Sequence, residues 1–125
     1  MPFLSRRLDS ARGPALHVAT VGTGAVPIVF LHGIGRRGST FQPLLPWLTE
    51  CGLVHLVDQR GHGKSGRGKQ YLVADYLADA MEILPRLGDR PAVLYGHSLG
   101  ALVVALLAAQ LPERVRAVVL EDPPS

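Results

Sequence analysis

The stretch from Ala92 to Leu111 constrains this chain more than any other: AVLY runs into Gly96-His97-Ser98-Leu99-Gly100 and then into ALVVALLAAQL. A short apolar run bounded by glycine reads as a buried strand, and a longer apolar run reads as a helix. Between them stands G-x-S-x-G, so the backbone must turn sharply from strand to helix at the serine. Such a turn is strained, and the positions two before and two after the serine must be nearly free of side chain to avoid clashes. Gly96 and Gly100 meet that demand. Spacing alone would arise by chance in about one chain in twenty of this length. The strand before and the helix after are the context the motif needs. Ser98 then projects from the carboxyl end of a sheet, and the following helix aims backbone N–H groups at any oxyanion beside it. The plainer alternative is that Ser98 only caps the helix.

Other segments extend the pattern. Alternation through Leu16, Val18 and Thr20 predicts a strand, preceded by another around Phe3 to Leu8. GTGAVP follows as a turn and reads as a hairpin connection. It is not a dinucleotide fingerprint, because Pro27 takes the third glycine's place and a strand, Ile28 to Leu31, follows instead of a helix. A helix is expected from Phe41 to Glu50, with Pro43 in its first turn and Pro46 weakening its first half. Leu53 to Val57 reads as a buried parallel strand. Leu77, Ala80, Met81 and Leu84 recur at helical spacing, with Asp75, Asp79 and Glu82 expected toward solvent. The helix after Ser98 has no polar face and is expected to be buried on most sides. Val115 to Leu120 gives one more buried strand, ending at Glu121 and Asp122. Strands alternating with helices predict an α/β fold, a three-layer αβα sandwich with a mostly parallel sheet.

Composition excludes several classes. The chain has 125 residues, 47% of them hydrophobic and 18% charged, which fits one globular domain and excludes a disordered chain. A net charge of +3 without a basic stripe argues against nucleic-acid binding. The longest apolar run, Leu99 to Ala109, is about half of the ~20 residues a membrane span needs. The N-terminus carries Arg6, Arg7 and Asp9 where a signal peptide needs an apolar core. Cys51 is the lone cysteine, expected to be a small buried or half-buried residue, and suits a cytoplasmic location.

Four segments together, YGHSLG, VFLHGIG, DQRGHGKS and LPERVRAVVLED, occur in an order that resembles the α/β-hydrolase family over essentially the whole chain. The resemblance implies that Ser98 is a nucleophile and that the backbone N–H groups of Ile34 and Leu99 form an oxyanion hole. Gly96, His97 and Gly100 support the elbow, and His32 and Gly33 support the oxyanion loop. No metal and no cofactor is expected. DQRGHGKS ends like a Walker A loop, but Asp58 stands where that motif needs glycine, and an acid would repel phosphate. In the family reading Asp58, Arg60 and His62 brace a loop beside the site; His32 and His97 read as satisfied structural groups in preference to bases, with an intrinsic base from His32 or His62 as the alternative. His17 and His55 lie on strands and carry no signal. Asp122, at the end of the sixth strand, is a candidate triad acid, a place some relatives use, while the family more often puts the acid one strand later.

A serine needs a base to take its proton, and this sequence has no histidine after His97, where the family pattern places one. The expectation is therefore that residues 1–125 form the N-terminal part of a single hydrolase domain, strands one to six of an incomplete α/β-hydrolase fold, without the lid and the last two strands. The substrate would be a small acyl compound: a carboxylic ester, lactone, thioester or activated C–C bond. Such a chain alone should be almost inert. The alternative is a non-catalytic binding module that keeps the half-fold and associates through an exposed sheet edge.

Overall fold

A computed structural model describes residues 3–124 of the chain. Its six strands are β1 (Leu4–Leu8), β2 (Leu16–Val21), β3 (Val26–Leu31), β4 (Gly52–Val57), β5 (Ala92–His97) and β6 (Val115–Glu121). Its α-helices are α1 (Leu45–Leu48), α2 (Val73–Ile83) and α3 (Leu99–Gln110). The strands form one sheet in the order β1-β2-β4-β3-β5-β6. β1 and β2 pair antiparallel with each other, β2 pairs antiparallel with β4, and the β4-β3-β5-β6 portion is parallel. The sheet is thus mixed, with its parallel part carrying Ser98.

Helices cover both faces, each over its own apolar cluster. On one face α2 and α3 bury Val29, Leu31, Val57, Leu94, Val103, Val104 and Leu107. On the other, Phe41 and the α1 region cover Val21, Ile28, Phe30, Val54 and Leu56. Alternation along β3 and β4 sends successive side chains to opposite faces, which is how one strand serves both clusters.

Several expectations from sequence need correction. GTGAVP is no hairpin, because β4 lies between β2 and β3. The Phe41 to Glu50 helix is instead a 3-10 helix, Gly38–Leu44, followed by the four-residue α1. Pro43 and Pro46 each lack the N–H that a continuous α-helix requires. β6 is not buried: Val118, Val119 and Leu120 remain 41 to 44% exposed, since β6 pairs only with β5. Cys51 is exposed. It follows α1 at the surface end of β4, outside both apolar clusters. Finally, Asp79 points into the protein and is buried, neutralised by a partner described below.

Candidate active site

Ser98 sits between β5 and α3 with φ 55° and ψ −116°. This backbone conformation favours glycine, and a serine holds it only when its surroundings impose it. Here they do. The Ser98 amide donates to the Glu121 carbonyl at 2.9 Å, tying the turn to β6, and the Ser98 carbonyl accepts from Ala101 at 2.9 Å, starting α3. A Cβ on Gly96 would overlap the Gly100 carbonyl, and one on Gly100 would overlap the Leu31 carbonyl. Both glycines are therefore needed for the close approach of β5, α3 and the end of β3.

The segment after β3 packs directly on this turn. A Cβ on Gly33 would stand 3.1 Å from the Ser98 Cβ and 3.2 Å from the His97 Nδ1. Gly33 begins a tight turn closed by the Arg36 amide on the Gly33 carbonyl at 3.1 Å, with Ile34 exposed at its tip. Among the described residues, no protein acceptor meets the amides of Ile34 and Leu99. One of these amides follows Ser98 directly and the other follows Gly33, which packs on Ser98. A free N–H next to a hydroxyl is what an anion forming there would need.

Two histidines hold this turn from behind. His32 is fully buried; its Nδ1–H donates to the Gly33 carbonyl at 2.8 Å and its Nε2 accepts the Gln59 amide at 2.9 Å. Gln59 returns a side-chain bond to the His32 carbonyl at 2.6 Å. Burial lowers the His32 pKa to about 4, so the ring is neutral near pH 7 and can accept that amide. His62 Nε2 accepts the Gly35 amide at 3.0 Å while its Nδ1–H donates to the Arg60 carbonyl at 2.8 Å. Both ring nitrogens of each histidine are occupied. Neither has a lone pair to take a proton from Ser98.

The loop after β4 is anchored by two carboxylates. Asp58 accepts from the amides of Gly38 (2.8 Å) and Lys64 (3.0 Å) and pairs with His17 Nδ1 at 3.1 Å. A Cβ on Gly63 would overlap this carboxylate, and Gly63 has φ +52°. Arg60 makes a bidentate bond to Asp79 on α2, at 2.7 and 2.8 Å, and also donates to the Gln70 carbonyl at 2.9 Å. The Asp79 hydrogen bond is the main reason the Arg60 pKa is raised. Asp58, Arg60 and His62 thus all bond within the brace.

Asp122 follows β6 and lies at the strand end next to Ser98, with a positive φ of 51°. His97 lies on the elbow with a buried Nδ1 that has no partner among the described residues. His55 hydrogen-bonds Thr20 across β2 and β4 at 2.8 Å, and burial lowers its pKa to about 4. Sequence reading missed the His17–Asp58 pair, the Gln59 clasp on His32, and the Tyr95 hydroxyl donating to Glu121 at 3.0 Å. The first two join neighbours in the sheet or its loops, which only strand order reveals. Among the described residues no three metal-ligating side chains gather, and no helix is long and apolar enough to cross a membrane.

Comparison with known proteins places this geometry in context. A family model described as alpha/beta hydrolase fold matches residues 26–125. The chain is 39% identical over 121 residues to 2-(acetamidomethylene)succinate hydrolase of Mesorhizobium japonicum, covering 96% of this chain and 43% of that protein. It is 33% identical to the pimeloyl-[acyl-carrier protein] methyl ester esterase of Proteus mirabilis, covering 83% of this chain and 39% of the other. Among solved structures, a thioesterase domain from the curacin biosynthetic pathway superposes with a TM-score of 0.91 at 25% identity, covering 99% of this chain and 46% of that one. The chain spans less than half the length of these relatives.

Proposed function

The chain belongs to the α/β-hydrolase family, and from that premise we propose that it carries the nucleophile and the oxyanion hole of a serine hydrolase acting on a small acyl compound. The observation that carries the reading is the strained Ser98, with Gly33 packed on it and the amides of Leu99 and Ile34 meeting no protein acceptor among the described residues. In the proposed reaction the Ser98 Oγ attacks a carbonyl carbon and its proton passes to a base. The carbonyl oxygen becomes an oxyanion that accepts from the Ile34 and Leu99 N–H groups. Each such donor contributes about 3 kcal/mol to the transition state. Collapse expels the leaving group, taking up the proton from the base, and leaves an acyl-serine that water then hydrolyses. An ester, a lactone, a thioester or an activated C–C bond can supply the carbonyl. The relatives whose names specify hydrolase, esterase and thioesterase fit that range.

We assign the base to a histidine outside these residues. His32 and His62 are spent on the turn, His17 and His55 are engaged on strands, and His97 is the last residue of β5, on the elbow. Asp122 is the acid we assign within the chain, because the end of β6 brings it beside the elbow and its positive φ resembles the strain of a functional position. These 125 residues are then the first six strands of a longer hydrolase domain. Without the base, turnover should fall by about a million-fold.

Mass spectrometry of the full-length gene product with an activated acyl ester tests this. An acyl adduct should accumulate on the peptide containing Ser98, and Ser98→Ala should remove it. Turnover with no adduct on that peptide would contradict the assignment. A second reading, a non-catalytic module associating through β6, draws on the exposed Val118, Val119 and Leu120 and is distinguished by sedimentation.

A further inference from the structure

A cleft separate from the serine elbow opens on the α1 face of the sheet, over β2 and β4. It has a volume of about 240 Å³, with Ala19 and Leu56 on its floor and Arg37, Ser39 and Lys64 around it. Asp58 and His17 also line it. The Asp58 carboxylate already accepts from two amides and pairs with His17. Arg37 and Lys64 therefore line the cleft together with the apolar Phe3, Ala19 and Leu56, against a single acid, Asp58, whose oxygens already meet three donors.

We propose that this cleft binds a small monocarboxylate with an apolar body. The floor rewards aliphatic or aromatic carbon, about 25 cal/mol for each Å² covered, and gives nothing to a strongly hydrated ion such as phosphate. Arg37 and Lys64 supply the charge-assisted donors for one carboxylate, and the Ser39 hydroxyl adds a neutral donor. Small-molecule sites typically combine an apolar lining with a few convergent polar groups in this way.

The two cations come from the two segments that hold the oxyanion turn. Arg37 follows the Gly33–Arg36 turn, and Lys64 follows His62, whose ring accepts the Gly35 amide at 3.0 Å. A carboxylate held by both Arg37 and Lys64 would link those segments. Occupancy should therefore stiffen the turn that carries Ile34 without touching Ser98. Binding itself needs no turnover, so it stands or falls apart from the hydrolase reading.

Titration of the full-length gene product with sodium hexanoate, followed by amide chemical shifts, tests the proposal. Saturable shifts are expected at Ala19, Arg37 to Ser39 and Lys64, with a smaller shift at Gly35. Hexanamide, which keeps the body and loses the charge, should give none. The Arg37→Gln/Lys64→Gln pair should weaken binding about tenfold or more. Ser39→Glu, which adds a carboxylate and removes no packing, should do the same. The proposal is overturned if shifts rise linearly and scatter over the surface, if hexanamide matches hexanoate, if both variants bind unchanged, or if inorganic phosphate binds more tightly than hexanoate.

Discussion

Ser98, the nucleophile we propose, holds a backbone conformation that its own side chain disfavours. At φ 55° and ψ −116° a glycine would be relaxed, so Ser98→Gly should stabilise the fold by about 1 kcal/mol while removing the hydroxyl. Urea unfolding of the two forms measures this; a less stable Ser98→Gly variant would mean the elbow is not strained. Gly100 behaves oppositely. A methyl group there overlaps the Leu31 carbonyl, so Gly100→Ala should cost about 3 kcal/mol or more, read in the same assay. These demands were legible in sequence because G-x-S-x-G states a steric requirement through residue type. The exposure of Cys51 and the pairing of His17 with Asp58 were not. Each depends on which strand or helix end lies alongside, and no local pattern encodes that.

Among the elements, α2 and the loop after β4 are joined by a buried ion pair. The Arg60–Asp79 contact is bidentate and both side chains are about nine-tenths covered. Removing one partner leaves the other charge buried and unpaired, so Asp79→Asn should destabilise by about 3 kcal/mol. An Arg60→Met/Asp79→Leu double variant should recover much of that loss, as thermal unfolding would report. The sequence placed Asp79 on the solvent side because amphipathic periodicity sees only the helix itself. Its partner comes from a loop nineteen residues earlier. Acid sensitivity also belongs at this scale. His32 and His55 have pKa values lowered to about 4 by burial, whereas an unfolded imidazole protonates near pH 6.5. Between those values the unfolded chain binds protons that the folded chain does not, so stability falls as pH drops from about 6.5 toward 4. Each histidine should remove about 3 kcal/mol by pH 4. Urea midpoints across this range check it, and His55→Leu should roughly halve the slope; a flat profile would contradict the buried neutral state.

For the whole molecule, the alternation of strands and helices carried the fold class, and motif order carried the family. Strand order was less accessible: β4 inserts between β2 and β3, a long-range choice that the turn-like GTGAVP conceals. The burial of β6 was misread because an apolar strand announces a neighbour without saying whether the chain at hand supplies it. Val118, Val119 and Leu120 are left exposed along an unpaired edge. Such an edge invites association, so the 125-residue chain should sediment with a concentration-dependent mass, and Val119→Lys should shift it toward monomer. A strict monomer at all concentrations would show the half-sheet to be self-sufficient. The central claim concerns Ser98, and a fluorophosphonate probe tests it most directly in the full-length gene product. The label should appear on the Ser98 peptide and vanish in Ser98→Ala; a label that persists in that variant, or settles on another residue, would contradict the account.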